Sequence, residues 1–220
     1  MKLVLASGSQ RRRELLTMCG YDYEIIVSNA DETIDENDPE SFVRALSFRK
    51  AKEVFDRLSA AGRREFAVIG SDTVVAFQKE GEAKPVIIGK PKDAEDAVRI
   101  LSMLSGKTHR VFTGVSVIAD IPDENAAAQC SIREKAEIQT ECSITEVTFE
   151  TLSPDEITDY VNSGDPLDKA GSYGIQGPFG MFVREIRGNY FTVIGMPIPV
   201  LYKMLKKIGI LPHGFYERIE

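Results

Sequence analysis

A run of small hydroxyl and guanidinium side chains, Ser7-Gly8-Ser9-Gln10-Arg11-Arg12-Arg13, follows directly on the apolar stretch Leu3 to Ala6. Glu14-Leu15-Leu16 then begins a helical period, which puts the arginines near a helix N-terminus. Free backbone N–H groups and the macrodipole favour phosphate at such a position. Taken alone, the run reads equally well as a solvated basic turn ahead of an ordinary helix. Lys50, Lys90 and Lys169 are the cationic complement, since a triphosphate calls for point charges as well as guanidinium forks. Each lysine by itself is also an ordinary surface residue. Lys90 stands between Gly89 and Pro91, a rigid turn that fixes where its ammonium points. Lys169 precedes Tyr173-Gly174-Ile175-Gln176-Gly177, where Gln176 offers both a donor and an acceptor to a base edge.

Three acids, Glu32, Asp72 and Asp168, fall at the ends of expected elements, where loops on a rigid sheet display reactive groups. Asp72 follows the apolar run Phe66-Ala67-Val68-Ile69-Gly70 and is expected at a strand's C-terminal edge, the ligand side of open α/β sheets. A capping or turn role is the competing reading for such an aspartate. Thr73 beside it serves packing or turn chemistry equally well. The two histidines are His109 and His213, and His109 lies in Lys107-Thr108-His109-Arg110, which reads as the start of a surface strand. Neither a GxSxG elbow nor the pattern GxxxxGK[ST] occurs. What remains is chemistry by carboxylates, water and a hard divalent cation, which one or two carboxylates plus substrate phosphates can hold.

These residues must be carried on a scaffold that 220 residues with 43% hydrophobic content can supply as one α/β domain, or one domain with a sizeable lobe. The formal charge of -7 disfavours a general grip on nucleic acid or on an anionic membrane, while leaving room for a local basic pocket. The apolar stretch before Ser7 is too short for a secretory signal, and no run approaches the ~18 apolar residues of a membrane span. Cys19, Cys130 and Cys142 are odd in number and lack CxxC spacing, so neither a disulfide framework nor structural zinc is expected. A soluble protein of the cytoplasm is the expectation.

Short apolar runs alternate with amphipathic ones, the pattern of an α/β fold. Strands are expected at Leu3 to Ala6, Tyr23 to Val27, Phe66 to Gly70, Val74 to Phe77, Val86 to Ile88, Arg110 to Ile118, Cys142 to Phe149 and Phe182 to Ile186. Helices are expected from Asp38-Pro39 towards Leu58, from Asp93 to Leu104, from Ser153-Pro154 to Ser163, and from Pro199 to Ile208. Pro122 to Lys135 reads as a polar surface excursion.

Several blocks together resemble the Maf family of nucleoside triphosphate pyrophosphatases. They are Leu5-Ala6-Ser7-Gly8-Ser9-x-Arg11-Arg12-x-Glu14-Leu15-Leu16, Asp31-Glu32, Lys50-Ala51, Gly70-Ser71-Asp72-Thr73-Val74-Val75 and Gly89-Lys90-Pro91. Leu104-Ser105-Gly106-x-x-His109, Thr113-Gly114-Val115, Asp168-Lys169-Ala170-Gly171-x-Tyr173-Gly174-Ile175-Gln176-Gly177, Gly188-x-Tyr190 and Val193-x-Gly195-x-Pro197 follow. The resemblance covers nearly the whole chain and implies a single Maf-like domain over residues 1–220. It implies a two-lobed, mixed-sheet α/β fold like that of the inosine triphosphatases, with a cleft between lobes. It further implies hydrolysis of a nucleoside triphosphate to the monophosphate and pyrophosphate with a divalent metal, Mg²⁺ or Mn²⁺, and a house-cleaning role.

By the same resemblance Asp72 is the proton acceptor; on chemical grounds Glu32 is expected to share the metal with Asp72. The resemblance also places base choice on Arg11, Thr73 and Gln176. That combination is similar to the branch acting on dTTP and UTP, whereas a branch acting on 7-methyl-GTP differs there. Ser7, Ser9, Arg12, Lys50, Lys90 and Lys169 would meet the substrate, with Arg12 a phosphate clamp and Arg13, outside the pattern, solvated. A homodimer is expected by analogy, and a non-catalytic nucleic-acid-binding division regulator is the reading from another class. This chain departs from the pattern at Gln10 for proline, Asp165 for glutamate, Thr192 for asparagine and Met196 for leucine, and Asp120 to Glu141 looks longer than usual.

Overall fold

In the computed structural model, residues 1–79, 81, 82, 84–121 and 136–214 are described. The expected excursion at Pro122 to Lys135 lies outside them. The order of elements is β1 (Lys2–Leu5), α1 (Gln10–Met18), β2 (Glu24–Ile25), α2 (Pro39–Ala60), β3 (Phe66–Phe77), β4 (Val86–Ile88) and α3 (Ala94–Leu104). Then come β5 (Thr108–Asp120), β6 (Ala136–Phe149), α4 (Pro154–Asn162), three 3₁₀ turns between Asp165 and Phe182, β7 (Val183–Arg187), α5 (Tyr190–Ile194) and α6 (Ile198–Lys207). Helix starts follow local chemistry. Asp38 and Asp93 accept from the main-chain N–H groups of Ser41 and Asp96, and Ser153 and Glu156 form a reciprocal capping box around the first turn of α4.

The seven strands form one mixed sheet in the order β2-β1-β3-β5-β6-β7, with β4 added to β3. β1 runs parallel to β2 and β3, and the remaining pairs are antiparallel. The central strand is longer than its sequence suggests. The two runs expected as separate strands, Phe66 to Gly70 and Val74 to Phe77, are one strand of 12 residues that continues through Ser71-Asp72-Thr73. Asp72 is therefore mid-strand, not at a strand end. Its backbone is held in register by β5, where Ala67 to Ala76 pair with Ala119 to Arg110.

The other edge of β3 is shared by two partners. β1 pairs with Phe66 to Ile69 and β4 with Val75 to Phe77, and among the described residues no strand pairs with the interval from Gly70 to Val74 on that edge. The sheet is split there, and apolar cores form on either side of the split. One gathers Leu3, Leu5, Leu15, Leu16, Ile69, Val115 and Leu201 beneath α1 and α6, while Val4, Val54, Phe55, Phe66 and Val68 pack under α2 on the opposite face. The other core joins Val75, Phe77, Leu101, Leu104, Val147, Phe149, Tyr160 and Phe179 with α3 and α4. β3 and β5 run through both lobes and tie them together.

At two glycines α2 approaches the sheet with no side chain of the strand in between. A Cβ on Gly70 would stand 2.1 Å from the carbonyl oxygen of Ser47, and one on Gly114 would stand 2.1 Å from that of Val43. Gly114 is opposite Asp72 in the β3–β5 register, so this close approach sets the height of α2 above Asp72. No helix among the described residues is long and apolar enough to cross a membrane.

Candidate active site

A cleft of about 1700 Å³ opens at the split in the sheet. That exceeds the ~300–1,000 Å³ of an ordinary small-molecule site and suits an elongated polyanion with its hydration. Ser7, Ser9, Arg11 and Arg12 line it from α1 and the turn before it; Lys50 enters from α2, and Asp72 and Thr73 from β3. Glu32, Lys90, Lys169 and Gln176 complete the lining from loops. Every residue singled out in the sequence for phosphate, base or metal thus faces one space.

On the cleft floor, Lys50 Nζ lies 2.7 Å from Asp72 Oδ1 and 2.9 Å from Glu32 Oε1. The Lys50 and Asp72 side chains are each 12% exposed, whereas Glu32 is 65% exposed and reaches in from solvent. Two carboxylates converging on one ammonium leave one negative charge in excess, and both carboxylates also act on the nearby Arg12 guanidinium, so that this partly desolvated group of charges is paired. Among the described residues no group of three or more His, Cys, Asp or Glu side chains could hold a metal ion unaided. The donor set still fits a hard cation, since Mg²⁺ is ordinarily held by one or two carboxylates, substrate phosphates and water. Glu32 and Asp72 would be those carboxylates, with Lys50 competing for the same oxygens.

The two matched arginines take different roles in the geometry. Arg12 turns inward: its Nε donates to the Gly195 carbonyl at 2.8 Å, and its Nη atoms donate to Ser7 Oγ at 3.1 Å and Thr73 Oγ1 at 3.3 Å. Burial pushes its guanidinium below the usual range, against the pull of the nearby Asp72 and Glu32 carboxylates. Arg11 turns across the cleft, and its Nη1 lies 3.0 Å from Asp168 Oδ2. Lys169 takes the other oxygen of Asp168 at 2.7 Å and also bonds Asp165. Burial of Asp168 on its own would raise its pKa, but the Lys169 bond and the Arg11 charge outweigh it and hold the carboxyl below its ordinary value. Lys90 and Gln176 are exposed on the cleft rim.

A model of the Maf-like protein family matches residues 2–208. The chain belongs to the Maf-like family. It is 40% identical over 217 residues to a dTTP/UTP pyrophosphatase of Agathobacter rectalis, covering 95% of this chain and 98% of that protein. It is 42% identical over 210 residues to a dTTP/UTP pyrophosphatase of Bacillus thuringiensis subsp. konkukian, covering 95% of this chain and 96% of that protein. Among solved structures, the Ham1 protein of Staphylococcus aureus aligns with a TM-score of 0.47 and 16% identity, over 94% of this chain and 100% of that one.

Within this family frame, the departures at Gln10 and Asp165 are absorbed locally. Gln10 occupies the first position of α1 and donates from Nε2 to Glu14 Oε1 at 2.8 Å. Asp165, despite its short side chain, accepts from the Tyr160 hydroxyl at 2.6 Å and from Lys169 at 3.0 Å. Two expectations are corrected. Arg13 is half-buried on the cleft wall and not simply solvated, because the first turn of α1 carries it inward, and its Nε is buried without a partner among the described residues. His109 is not a surface residue: the pleat of β5 turns it into the core, where it is 2% exposed. Sequence reasoning also missed the backbone carbonyl of Gly195, the acceptor that orients Arg12. Its signal was present in the block Val193-x-Gly195-x-Pro197, but a carbonyl has no residue type to announce it.

Proposed function

We propose that this protein hydrolyses dTTP and UTP to the monophosphate and pyrophosphate, acting as a single domain over residues 1–220. The observation that carries this reading is the convergence of Lys50 on Asp72 and Glu32 at the floor of a cleft ringed by Arg11, Arg12, Lys90 and Lys169. The choice of pyrimidine follows the names of the relatives. Net charge -7 with cations gathered in one cleft supports a small polyanionic substrate over stable nucleic-acid binding. We place the activity in the cytoplasm, with a homodimer as the working assembly.

In this mechanism Asp72 accepts the proton of the attacking water. The water oxygen bonds to the α-phosphorus, and the bond from that phosphorus to the bridging oxygen of pyrophosphate breaks. Lys50 holds the Asp72 carboxylate in position and neutralises charge beside it. Arg12, fixed by Gly195, Ser7 and Thr73, presents a preorganised guanidinium to the phosphate oxygens, and Ser9, Lys90 and Lys169 share the developing charge. Arg11, Thr73 and Gln176 receive the base. A divalent cation held by Glu32 and Asp72 supplies Lewis-acid charge stabilisation when bound.

Substrate panels with Mg²⁺, Mn²⁺ or EDTA, scored for pyrophosphate and for phosphate, test the reading. dTTP and UTP should exceed purine triphosphates and 7-methyl-GTP, with pyrophosphate as product and activity lost in EDTA. A purine preference sinks the substrate assignment. Asp72→Asn should lower kcat on the order of 10²–10⁴-fold, the usual worth of a general base, while nucleotide binding by calorimetry persists; undiminished turnover removes Asp72 from the mechanism.

A further inference from the structure

Beneath the cleft floor runs a chain of hydroxyl groups whose hydrogens can be assigned from their partners. Thr73 on β3 and Thr113 on β5 are directly opposed across the antiparallel pair, with their Oγ1 atoms 3.0 Å apart. Thr113 is fully buried, and its hydroxyl lies 2.7 Å from the main-chain carbonyl of Thr192. A carbonyl only accepts, so the single hydrogen of Thr113 goes to Thr192. Towards Thr73, Thr113 has only lone pairs left, and Thr73 must donate to it. The hydrogen of Thr73 is thereby committed to the interior of the sheet, while its oxygen accepts from Arg12 Nη2 at 3.3 Å. What Thr73 can still present to the cleft is a lone pair.

We propose that Thr113, which lies below the cleft lining, is a specificity-determining positioning residue. By fixing the hydroxyl of Thr73 as an acceptor, it makes this point of the cleft accept a base edge carrying a ring N–H and reject one carrying a bare ring nitrogen. The inference rests on the reading above that a pyrimidine base docks at Thr73. Uracil and thymine carry an N3–H. Cytosine, of the same size and shape, has a lone pair at N3. Pocket dimensions cannot separate the two, but the polarity of one buried hydrogen bond can, because the wrong base sets lone pair against lone pair and leaves both desolvated and unpaired. Thymine and uracil differ by a methyl group and not at N3, so one polarity serves both substrates.

The test compares kcat/KM for UTP and CTP in the wild type, in Thr113→Val and in Thr113→Ser. Valine keeps the shape of threonine and removes the acceptor, which frees the Thr73 hydrogen to turn into the cleft and donate to cytosine N3. The UTP-to-CTP ratio should narrow on the order of tenfold in Thr113→Val and stay at the wild-type value in Thr113→Ser, which retains the hydroxyl. A merely structural role would lower both substrates by one factor in Thr113→Val, and that result overturns the inference while leaving the proposed activity intact. A wild type that does not discriminate UTP from CTP overturns the inference and leaves hydrolysis of dTTP and UTP standing, whereas a wild type inactive on both UTP and dTTP overturns the proposed activity. If the valine variant fails to fold, N3-methyl-UTP on the wild type still decides: it keeps both carbonyls and lacks the N–H, so it should be hydrolysed as poorly as CTP, and hydrolysis at the UTP rate overturns the proposal.

Discussion

His109 sits among Phe149, Tyr173 and the surrounding core, with its Nε2 3.0 Å from the Tyr173 hydroxyl and its Nδ1 buried without a partner among the described residues. Burial pushes the imidazole down to about 3. The unfolded chain protonates this histidine below ~6.5 whereas the folded protein keeps it neutral, so stability is complete above that pH and is lost as pH falls towards 3. Between pH 6.5 and 5, before most carboxylates titrate, the loss should be about 1.5 kcal/mol from this one group. Urea titrations across that interval check it, and in His109→Gln, which cannot titrate, this contribution should vanish. The burial was partly legible in the sequence, because Thr108-His109-Arg110-Val111 alternates in period two and places His109 on the side of Val111. Polar neighbours concealed it. Residue types announced Lys50, Asp72 and Arg12, whose charges have few other uses in an apolar setting, while Asp168 as the shared partner of Arg11 and Lys169 needed contacts across 157 positions of sequence.

At the scale of elements, the position of Lys50 is a consequence of how α2 rests on the sheet. Ser47 and Ala51 lie over Gly70, and Val43 over Gly114, which leaves Lys50 at the height from which it meets Asp72 at 2.7 Å. Adding one methyl group at Gly114 must lift the helix, because the atom it meets is backbone and cannot rotate away. Gly114→Ala should therefore cost about 1–3 kcal/mol of stability or more. It should also lower kcat by a larger factor than it raises KM, since Lys50 would lose its register with Asp72; chemical denaturation and steady-state kinetics on the same preparation check both. Helix starts were legible wherever a capping aspartate or serine preceded an apolar period, as at Asp38, Asp93 and Ser153. Strand continuity was not. Ser71-Asp72-Thr73 reads as a break by composition, and only pairing with Val115, Gly114 and Thr113 on β5 keeps it extended. The five-residue α5 likewise carries too short a period to declare itself, and Asn189, which caps it, resembles any turn residue.

For the whole molecule, the cleft is where the sheet is split between two cores, so a nucleotide that reaches Arg12 and Lys50 on one side and Lys90 and Lys169 on the other bridges both. Such a ligand binds the native arrangement and not the unfolded chain, which lacks the assembled cations. At 100 times its dissociation constant it should stabilise the protein by about 2.7 kcal/mol, a rise in melting temperature of roughly 5–11 °C for a chain of this size. A non-hydrolysable dTTP or UTP analogue with Mg²⁺ should produce that shift in calorimetry on Asp72-intact protein, as a single transition moving together. EDTA should shrink it, because the triphosphate then meets Glu32 and Asp72 with no cation between like charges. Rising salt should shrink it as well, since screening weakens attraction between exposed cations of the cleft rim and the phosphates while the net charge of -7 elsewhere repels them. A shift of the same size with and without the divalent ion would place the phosphates on the arginines and lysines alone and remove Glu32 from ligand binding.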